Sequence, residues 1–271
     1  AMIDRRSLLA RSAVFAAAGL GSRSAMAAPI KPGASAALIV VDVQNCFLPG
    51  GSLAVKDGDK VVPVINKLAK SFANIVCTQD WHTAGHVSFA SSHPGKKPFD
   101  VIKLGYGDQV LWPDHCVQGT EGAALAKDLQ LPTAQLVIRK GFHHDVDSYS
   151  ALLEADKKTK TGLAAYLKER KIKTLFVTGL ATDFCVAWTA IDARKAGFEV
   201  YVVDDACRGI DANGSLAKAW ADMTKAGVKT LPTRWDEWRV ALRKVKQVAG
   251  EGNYSILLPL NEFEPLLSLA V

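Results

Sequence analysis

The chain has 271 residues, of which 49% are hydrophobic and 22% are charged, and its formal net charge is +6. This composition excludes a disordered or fibrous chain and suffices to bury the core of one globular domain. Half of the net charge lies in residues 1–27, so the remaining chain is too weakly basic to indicate nucleic-acid binding.

The N-terminal segment 1–27 resembles a twin-arginine export signal. Residues 4–9 read D-R-R-S-L-L, residues 13–21 are small and apolar, and residues 25–27 offer an A-M-A cleavage site. That apolar stretch is too short to cross a bilayer, and no other segment is long enough, so we expect no membrane span. We expect export to a bacterial periplasm and a single mature domain over 28–271. The alternative is a retained surface helix, which would leave the protein in the cytoplasm.

Strand-like and helix-like segments alternate along the chain. Apolar runs rich in β-branched residues predict strands at 36–41, 74–78, 135–138, 174–178, 199–203 and 228–231. Helical periodicity predicts helices at 59–71, 122–129, 162–171, 183–196, 216–226 and 236–248. The alternation predicts a three-layer, doubly wound α/β fold, with a mainly parallel sheet of about six strands and helices on both faces.

Two segments fall outside this alternation. Residues 80–120 show little periodicity, and an irregular segment of that length inside a compact domain is usually functional. The C-terminal extension 251–271 is apolar but irregular, and its sequence indicates no function.

Three unusual residues stand where predicted strands end, which is the edge where open α/β sheets bind ligands. Asp42 ends the first strand, Lys140 ends the third, and Cys185 follows the fourth. Cys185 lies in the first turn of a predicted helix capped by Thr182 or Asp183, where the helix dipole would lower the pKa of the thiol. We expect Asp42 to accept the thiol proton, and Lys140 to keep that carboxylate ionised.

The same turn offers an oxyanion hole, formed by the backbone amides of Ala181 and Cys185. Taken singly, each of the three side chains is more often structural, because Asp caps turns, Lys is solvated and Cys fills cores. Their convergence at strand ends is what indicates nucleophilic catalysis.

The irregular segment supplies a predicted metal site. Asp80 and His82 lie in D-W-H, His86 follows four residues later, and His115 lies in W-P-D-H-C. One carboxylate and three imidazoles suit a divalent transition metal and leave positions open for water or substrate. A structural alternative makes His86 a surface residue and His115 a hydrogen-bonded core histidine.

The cysteine pattern argues against a disulfide framework. The chain has five cysteines with no C-x-x-C pair, and the odd number leaves at least one thiol free.

The motifs taken together resemble the nicotinamidase/pyrazinamidase branch of the isochorismatase-like cysteine hydrolases. They are D-V-Q-N-x-F, D-W-H-x-x-x-H, W-P-x-H-C-V-x-G-T, R-K-G, D-S-Y-S and G-L-A-T-D-x-C-V, spread over about 36–205. As a set they are highly specific, although any one of them would not be.

The resemblance implies roles for the residues that match these motifs. Asp42, Lys140 and Cys185 would form the catalytic triad, with a cis peptide at Leu180–Ala181. Asp80, His82, His86 and His115 would bind one divalent ion, for which zinc is favoured over iron or manganese. The substrate-binding residues would be Phe47 and Trp112, as aromatic walls, and Leu180.

The implied reaction is hydrolysis of nicotinamide, and of pyrazinamide, to the free acid and ammonia through a cysteine thioester. Phe184 departs from the Tyr or His common before the nucleophile, which leaves the selectivity among cyclic amides open. Two alternatives remain: a metal-independent amidase of the superfamily acting on carbamoyl or ureido compounds, and a non-catalytic periplasmic ligand-binding protein. The expected partner is a small-molecule amide, and a homo-oligomer is compatible with the sequence.

Overall fold

A six-stranded parallel sheet lies at the centre of the computed structural model, which describes residues 32–231. Its strands are β1 (Ala36–Val41), β2 (Ile75–Asp80), β5 (Leu136–Lys140), β6 (Thr174–Leu180), β7 (Glu199–Arg208) and β8 (Lys229–Leu231), in the spatial order β5-β2-β1-β6-β7-β8. A separate antiparallel hairpin pairs β3 (Val101–Leu104) with β4 (Gly107–Val110) inside the irregular segment. The predicted signal 1–27, helix 236–248 and extension 251–271 lie outside the described residues.

Helices cover both faces of this sheet and form two cores. Alternate residues of β1 point in opposite directions, so Leu38 and Val40 enter one core while Ile39 and Val41 enter the other. The first core packs against α1 (Val61–Ala69), and the second against α2 (Leu163–Glu169), α3 (Ala187–Lys195) and α4 (Ser215–Lys225). The predicted three-layer α/β fold is confirmed.

The predicted helix at 122–129 is wrong. Only a short 3-10 turn, Glu121–Ala123, forms there. The backbone amide of Asn45 donates to Ala124 O at 3.0 Å, and the amide of Ala126 donates to Val43 O at 2.9 Å. The apolar side chains of this segment enter the core, but its backbone pairs with residues 43–45 instead of forming a continuous helix.

The expectation about cysteines also needs correction, because Cys46 and Cys116 form a disulfide with a Cα–Cα distance of 5.8 Å. Cys77, Cys185 and Cys207 are free and buried. The two bonded residues are 70 apart in sequence, so only the fold brings them together. A cross-link that closes a loop of this length stabilises the folded state by about 4 kcal/mol in the chain-entropy account.

Within residues 32–231, none of the helices is both long enough and apolar enough to cross a bilayer.

Gly179 allows β6 to run against β1 just before the nucleophile turn. Its φ is +111°, and a Cβ at this position would lie 2.0 Å from the carbonyl oxygen of Val41. Only glycine tolerates both the backbone conformation and this close approach.

We expect Gly179→Ala to lower the free energy of unfolding by about 3 kcal/mol or more, because it adds backbone strain to a clash with main-chain atoms. Gly33→Ala is the matched control, since a Cβ at Gly33 would meet nothing within 4 Å. Thermal and urea unfolding of both variants would measure the difference, and equal stability would contradict this account of Gly179.

Candidate active site

Asp42, Lys140 and Cys185 meet at the carboxyl edge of the sheet. Lys140 Nζ lies 2.8 Å from Asp42 Oδ2 and 3.3 Å from Cys185 Sγ. All three residues are at most 5% exposed. In the sheet, β2 lies between β5 and β1. The long side chain of Lys140, at the end of β5, therefore reaches across β2 to contact Asp42 after β1 and Cys185 after β6.

Thr78 fixes the orientation of Asp42. Its hydroxyl donates to Asp42 Oδ1 at 2.5 Å, and in turn accepts the backbone amide of Asp42 at 3.1 Å. Asp42 itself has a φ of +48°, which turns the chain away from the strand direction. Sequence reasoning did not single out Thr78, although a buried hydroxyl within an apolar strand was the available signal.

Lys140 is an ammonium ion enclosed by acceptors. Besides Asp42 it pairs with Asp80 Oδ1, and it donates to the carbonyl of Ser148 at 2.9 Å. Burial by itself would lower the pKa of Lys140, but the carboxylates of Asp42 and Asp80 raise it well above the usual value. The two carboxylates therefore favour the charged form of Lys140.

Burial opposes the charged forms of the other two members of the triad, Cys185 and Asp42. Burial raises the pKa of the Cys185 thiol well above its usual value, and it also raises the pKa of Asp42, against the lowering effect of Lys140. This direction is opposite to the expected lowering of the thiol pKa, because loss of hydration outweighs the neighbouring ammonium. Burial therefore favours the thiol form of Cys185.

The nucleophile turn differs from a simple helix start. Residues Thr182–Val186 form a π-turn before α3, and the Leu180–Ala181 peptide is cis, as the resemblance implied. The expected capping by Thr182 or Asp183 is wrong, because Ala181 occupies the N-cap position. The carboxylate of Asp183 instead accepts the backbone amides of Ile210 and Asp211 at 2.9 and 2.8 Å, and so holds the loop before α4.

Asp80, His82 and His115 converge beside the triad. Asp80 Oδ2 lies 3.7 Å from His82 Nε2 and 3.8 Å from His115 Nε2. The Nδ1 atoms of the two rings donate to the carbonyls of Gly141 and Pro113, both at 2.8 Å. A carbonyl can only accept, so each Nδ1 carries a proton, and Nε2 is the nitrogen of each ring that faces Asp80.

These three residues fit a divalent metal ion. Although burial opposes ionisation, Lys140 holds the pKa of Asp80 well below its usual range. Burial lowers the pKa of His115 to about 4, so this ring is neutral near pH 7. Burial opposes charge on His82 too, but the Asp80 carboxylate outweighs it and raises the pKa of that ring, so a bound cation would compete with a proton there. A carboxylate and two imidazoles suit a borderline ion with open coordination positions.

His86 is not in the group of close ligand atoms formed by Asp80, His82 and His115, and instead lies in a second group with His82 and Asp147. Its ring centroid lies 4.3 Å from that of His82, but its Nδ1 contacts Ser88 Oγ at 2.7 Å and its Nε2 contacts the carbonyl of His143 at 2.9 Å. Both ring nitrogens are thus engaged by the protein. The D-W-H-x-x-x-H spacing placed His86 near the site without determining the direction of its ring.

The predicted substrate-binding residues lie around these groups, all buried. The ring centroid of Phe47 is 5.6 Å from that of His115, and the ring centroid of Trp112 is 4.7 Å from that of Phe184. Leu180 is fully buried just before the cis peptide. Phe47 is therefore next to the candidate metal ligands, whereas Trp112 is next to the residue that precedes the nucleophile.

The D-S-Y-S motif positions the side chains of Lys140 and Trp112, a role that sequence reasoning missed. The carbonyl of Ser148 accepts from Lys140, and the adjacent Tyr149 hydroxyl accepts from Trp112 Nε1 at 3.0 Å. The motif was visible in the sequence, but its contacts were not. Gln44 was missed in the same way: it pairs with the backbone of Asp80 through bonds of 2.8 and 2.9 Å.

The chain belongs to the isochorismatase family, since the family model described as Isochorismatase domain matches residues 36–234. Among its relatives, the nicotinamidase of Acinetobacter baylyi is 61% identical over 205 residues, which cover 76% of this chain and 96% of that protein. A solved structure of an Acinetobacter nicotinamidase/pyrazinamidase has a TM-score of 0.72 at 61% identity and covers 73% of this chain and 95% of its own. The pyrazinamidase of Pyrococcus horikoshii in complex with zinc has a TM-score of 0.60 at 36% identity, over 73% of this chain and 98% of its own.

Replacing the candidate ligands one at a time tests which of them bind metal. We expect His115→Ala to weaken metal affinity by more than about 100-fold, and His86→Ala by only about tenfold, the range for residues that support a ligand. Metal content after dialysis against graded chelator measures both effects. Equal losses of metal affinity in the two variants would indicate that His86 is also a metal ligand.

Proposed function

We propose that this protein is an amidohydrolase that converts nicotinamide to nicotinate and ammonia through a thioester on Cys185, and that it also accepts pyrazinamide. The observation that carries this proposal is the contact of one buried ammonium, Lys140, with both a carboxylate and a thiol. The named activities of the 61% identical relatives support the choice of substrate.

The chemistry begins from a protonated thiol. As Sγ of Cys185 attacks the amide carbon, its proton passes to Asp42, whose raised pKa suits a group that must hold a proton briefly. Lys140 remains charged and offsets the negative charge that accumulates around it. The backbone amides of Ala181 and Cys185 are the proposed donors to the oxyanion.

The second half of the reaction returns the site to its starting state. Asp42 gives its proton to the amide nitrogen, the carbon–nitrogen bond breaks, and ammonia leaves behind a thioester. Asp42 then accepts a proton from the attacking water and returns it to the sulfur as the acid is released. One carboxyl group therefore serves as base and acid twice in each turnover.

We further propose that Asp80, His82 and His115 hold a zinc ion, with iron or manganese as alternatives. The chemistry that such an ion supplies is Lewis acidity towards a ring nitrogen or a water molecule. Phe47 and Trp112 would bind the flat ring between them and hold the amide against Cys185, which converts an encounter into a positioned attack. The zinc complex of the Pyrococcus horikoshii pyrazinamidase supports the choice of metal.

Replacing Cys185 by Ala tests the nucleophile. We expect Cys185→Ala to abolish ammonia release from nicotinamide while the melting temperature and metal content stay near those of the wild type, because only the sulfur is removed. The conservative Cys207→Ala variant is the control: that thiol is also buried, but it lies on β7. Residual activity in Cys185→Ala would contradict the thioester mechanism.

The same assay separates the two alternatives. A wild type without bound transition metal that releases ammonia only from ureido compounds would favour a metal-independent amidase. A wild type that binds nicotinamide without releasing ammonia would favour a binding protein.

We also propose that the protein acts in the periplasm. Its N-terminal motif supports export, and the Cys46–Cys116 disulfide supports an oxidising compartment, where such bonds persist. Cell fractionation should find the activity in the periplasm, and replacing Arg5 and Arg6 by Lys should move it to the cytoplasm. Wild-type activity confined to the cytoplasm would contradict the proposal.

A further inference from the structure

We propose that the Cys46–Cys116 disulfide is a positioning cross-link, which holds the aromatic wall Phe47 against the ligand loop at His115 and so strengthens the binding of both metal and substrate. The inference rests on the proposed function for its choice of substrate. The contacts that place the cross-link do not depend on that choice.

Each half of the disulfide is the chain neighbour of a site residue. Cys46 lies in the 3-10 turn Asn45–Phe47, directly before Phe47, and Cys116 directly follows His115. The ring centroids of Phe47 and His115 lie 5.6 Å apart, and the ring planes are tilted by 58°. Each cysteine is 1% exposed, so the cross-link lies within the wall of the site rather than on the surface.

Cys116 is also joined to a second candidate metal ligand. Its carbonyl accepts the backbone amide of His82 at 3.1 Å, and Gln118 donates back to the carbonyl of His82 at 2.9 Å. A displacement of Cys116 would therefore move His115 through the chain and His82 through a hydrogen bond. Support of this kind around metal ligands determines how tightly the ion is held.

The turn that contains Cys46 has anchors of its own. Leu53 donates to the carbonyl of Cys46 at 3.0 Å, Val55 donates to that of Phe47 at 2.9 Å, and the side chain of Asn45 donates to the backbone of Glu121 at 3.0 Å. These bonds do not depend on the sulfur atoms. Breaking the disulfide should therefore let the turn Asn45–Phe47 move relative to the loop that carries His115, while the fold stays in place.

Formation of the bond needs an oxidant. The two thiols lose two electrons and two protons to a disulfide-bearing exchange partner, which leaves as two thiols. An oxidising compartment supplies such partners, and a reducing cytoplasm does not. The protein would therefore acquire its tight-binding form where we propose that it works.

The experiment compares the full-length oxidised protein with a double variant, Cys46→Ala with Cys116→Ala. Cys207→Ser is the matched control, because it removes a buried thiol outside the cross-link. If the double variant fails to fold, wild-type protein produced in a reducing cytoplasm provides the dithiol form without any substitution. Thiol titration in denaturant and peptide mapping establish the bonded pair in each sample.

We expect loss of the cross-link to raise KM for nicotinamide about tenfold, with kcat within about twofold, and to speed metal release to a chelator about tenfold. The control should match the oxidised wild type in all three. Five titratable thiols in protein recovered from the periplasm would overturn the proposal. A double variant with lowered melting temperature but unchanged KM and metal release would also overturn it, because the bond would then be merely structural.

The two proposals can fail separately. If no sample releases ammonia from nicotinamide, the proposed function fails, while thiol titration and metal release still decide the role of the cross-link. If nicotinamide is hydrolysed and the oxidised and dithiol forms behave alike, only the positioning role fails.

Discussion

The buried positive charge of Lys140 is the constraint on which the rest of the site depends. An isolated ammonium in this environment would be very costly, and it is stable only because Asp42, Asp80 and the carbonyl of Ser148 surround it. The same charge lowers the pKa of Asp80, a candidate metal ligand, and so favours its ionised form. It also lies within hydrogen-bonding distance of the sulfur of Cys185. One side chain thus contacts both the proposed nucleophile and a proposed metal ligand.

The order of strands in the sheet makes this coupling possible. β1, β2, β5 and β6 are neighbours, all parallel, and their carboxyl ends deliver Asp42, Asp80, Lys140 and Cys185 to one edge. The close approach at Gly179 brings the nucleophile turn against the end of β1. A different strand order with the same elements would separate the ammonium from its two carboxylates.

Around that centre, residues outside the triad orient the side chains of the site and are not themselves proposed to react. Thr78 aims Asp42, Gln44 holds the backbone of Asp80, and Tyr149 holds the indole of Trp112. The carbonyls that accept from His82 and His115 select the tautomer that presents Nε2. The disulfide fits this pattern, because it joins the wall formed by Phe47 to the loop that carries His115.

The sequence by itself determined the class of fold, five of the described strands to within a few residues, and three strand-end residues that meet in space. Buried strands and strand-end residues leave patterns that are local in the chain. It failed at 122–129, where an apolar segment pairs its backbone with residues 43–45 instead of forming a helix. Only the tertiary structure decided the direction in which burial shifts the pKa of Cys185, the contacts of the His86 ring and the pairing of Cys46 with Cys116. Each of these depends on burial or on contacts between distant parts of the chain, which residue spacing does not encode.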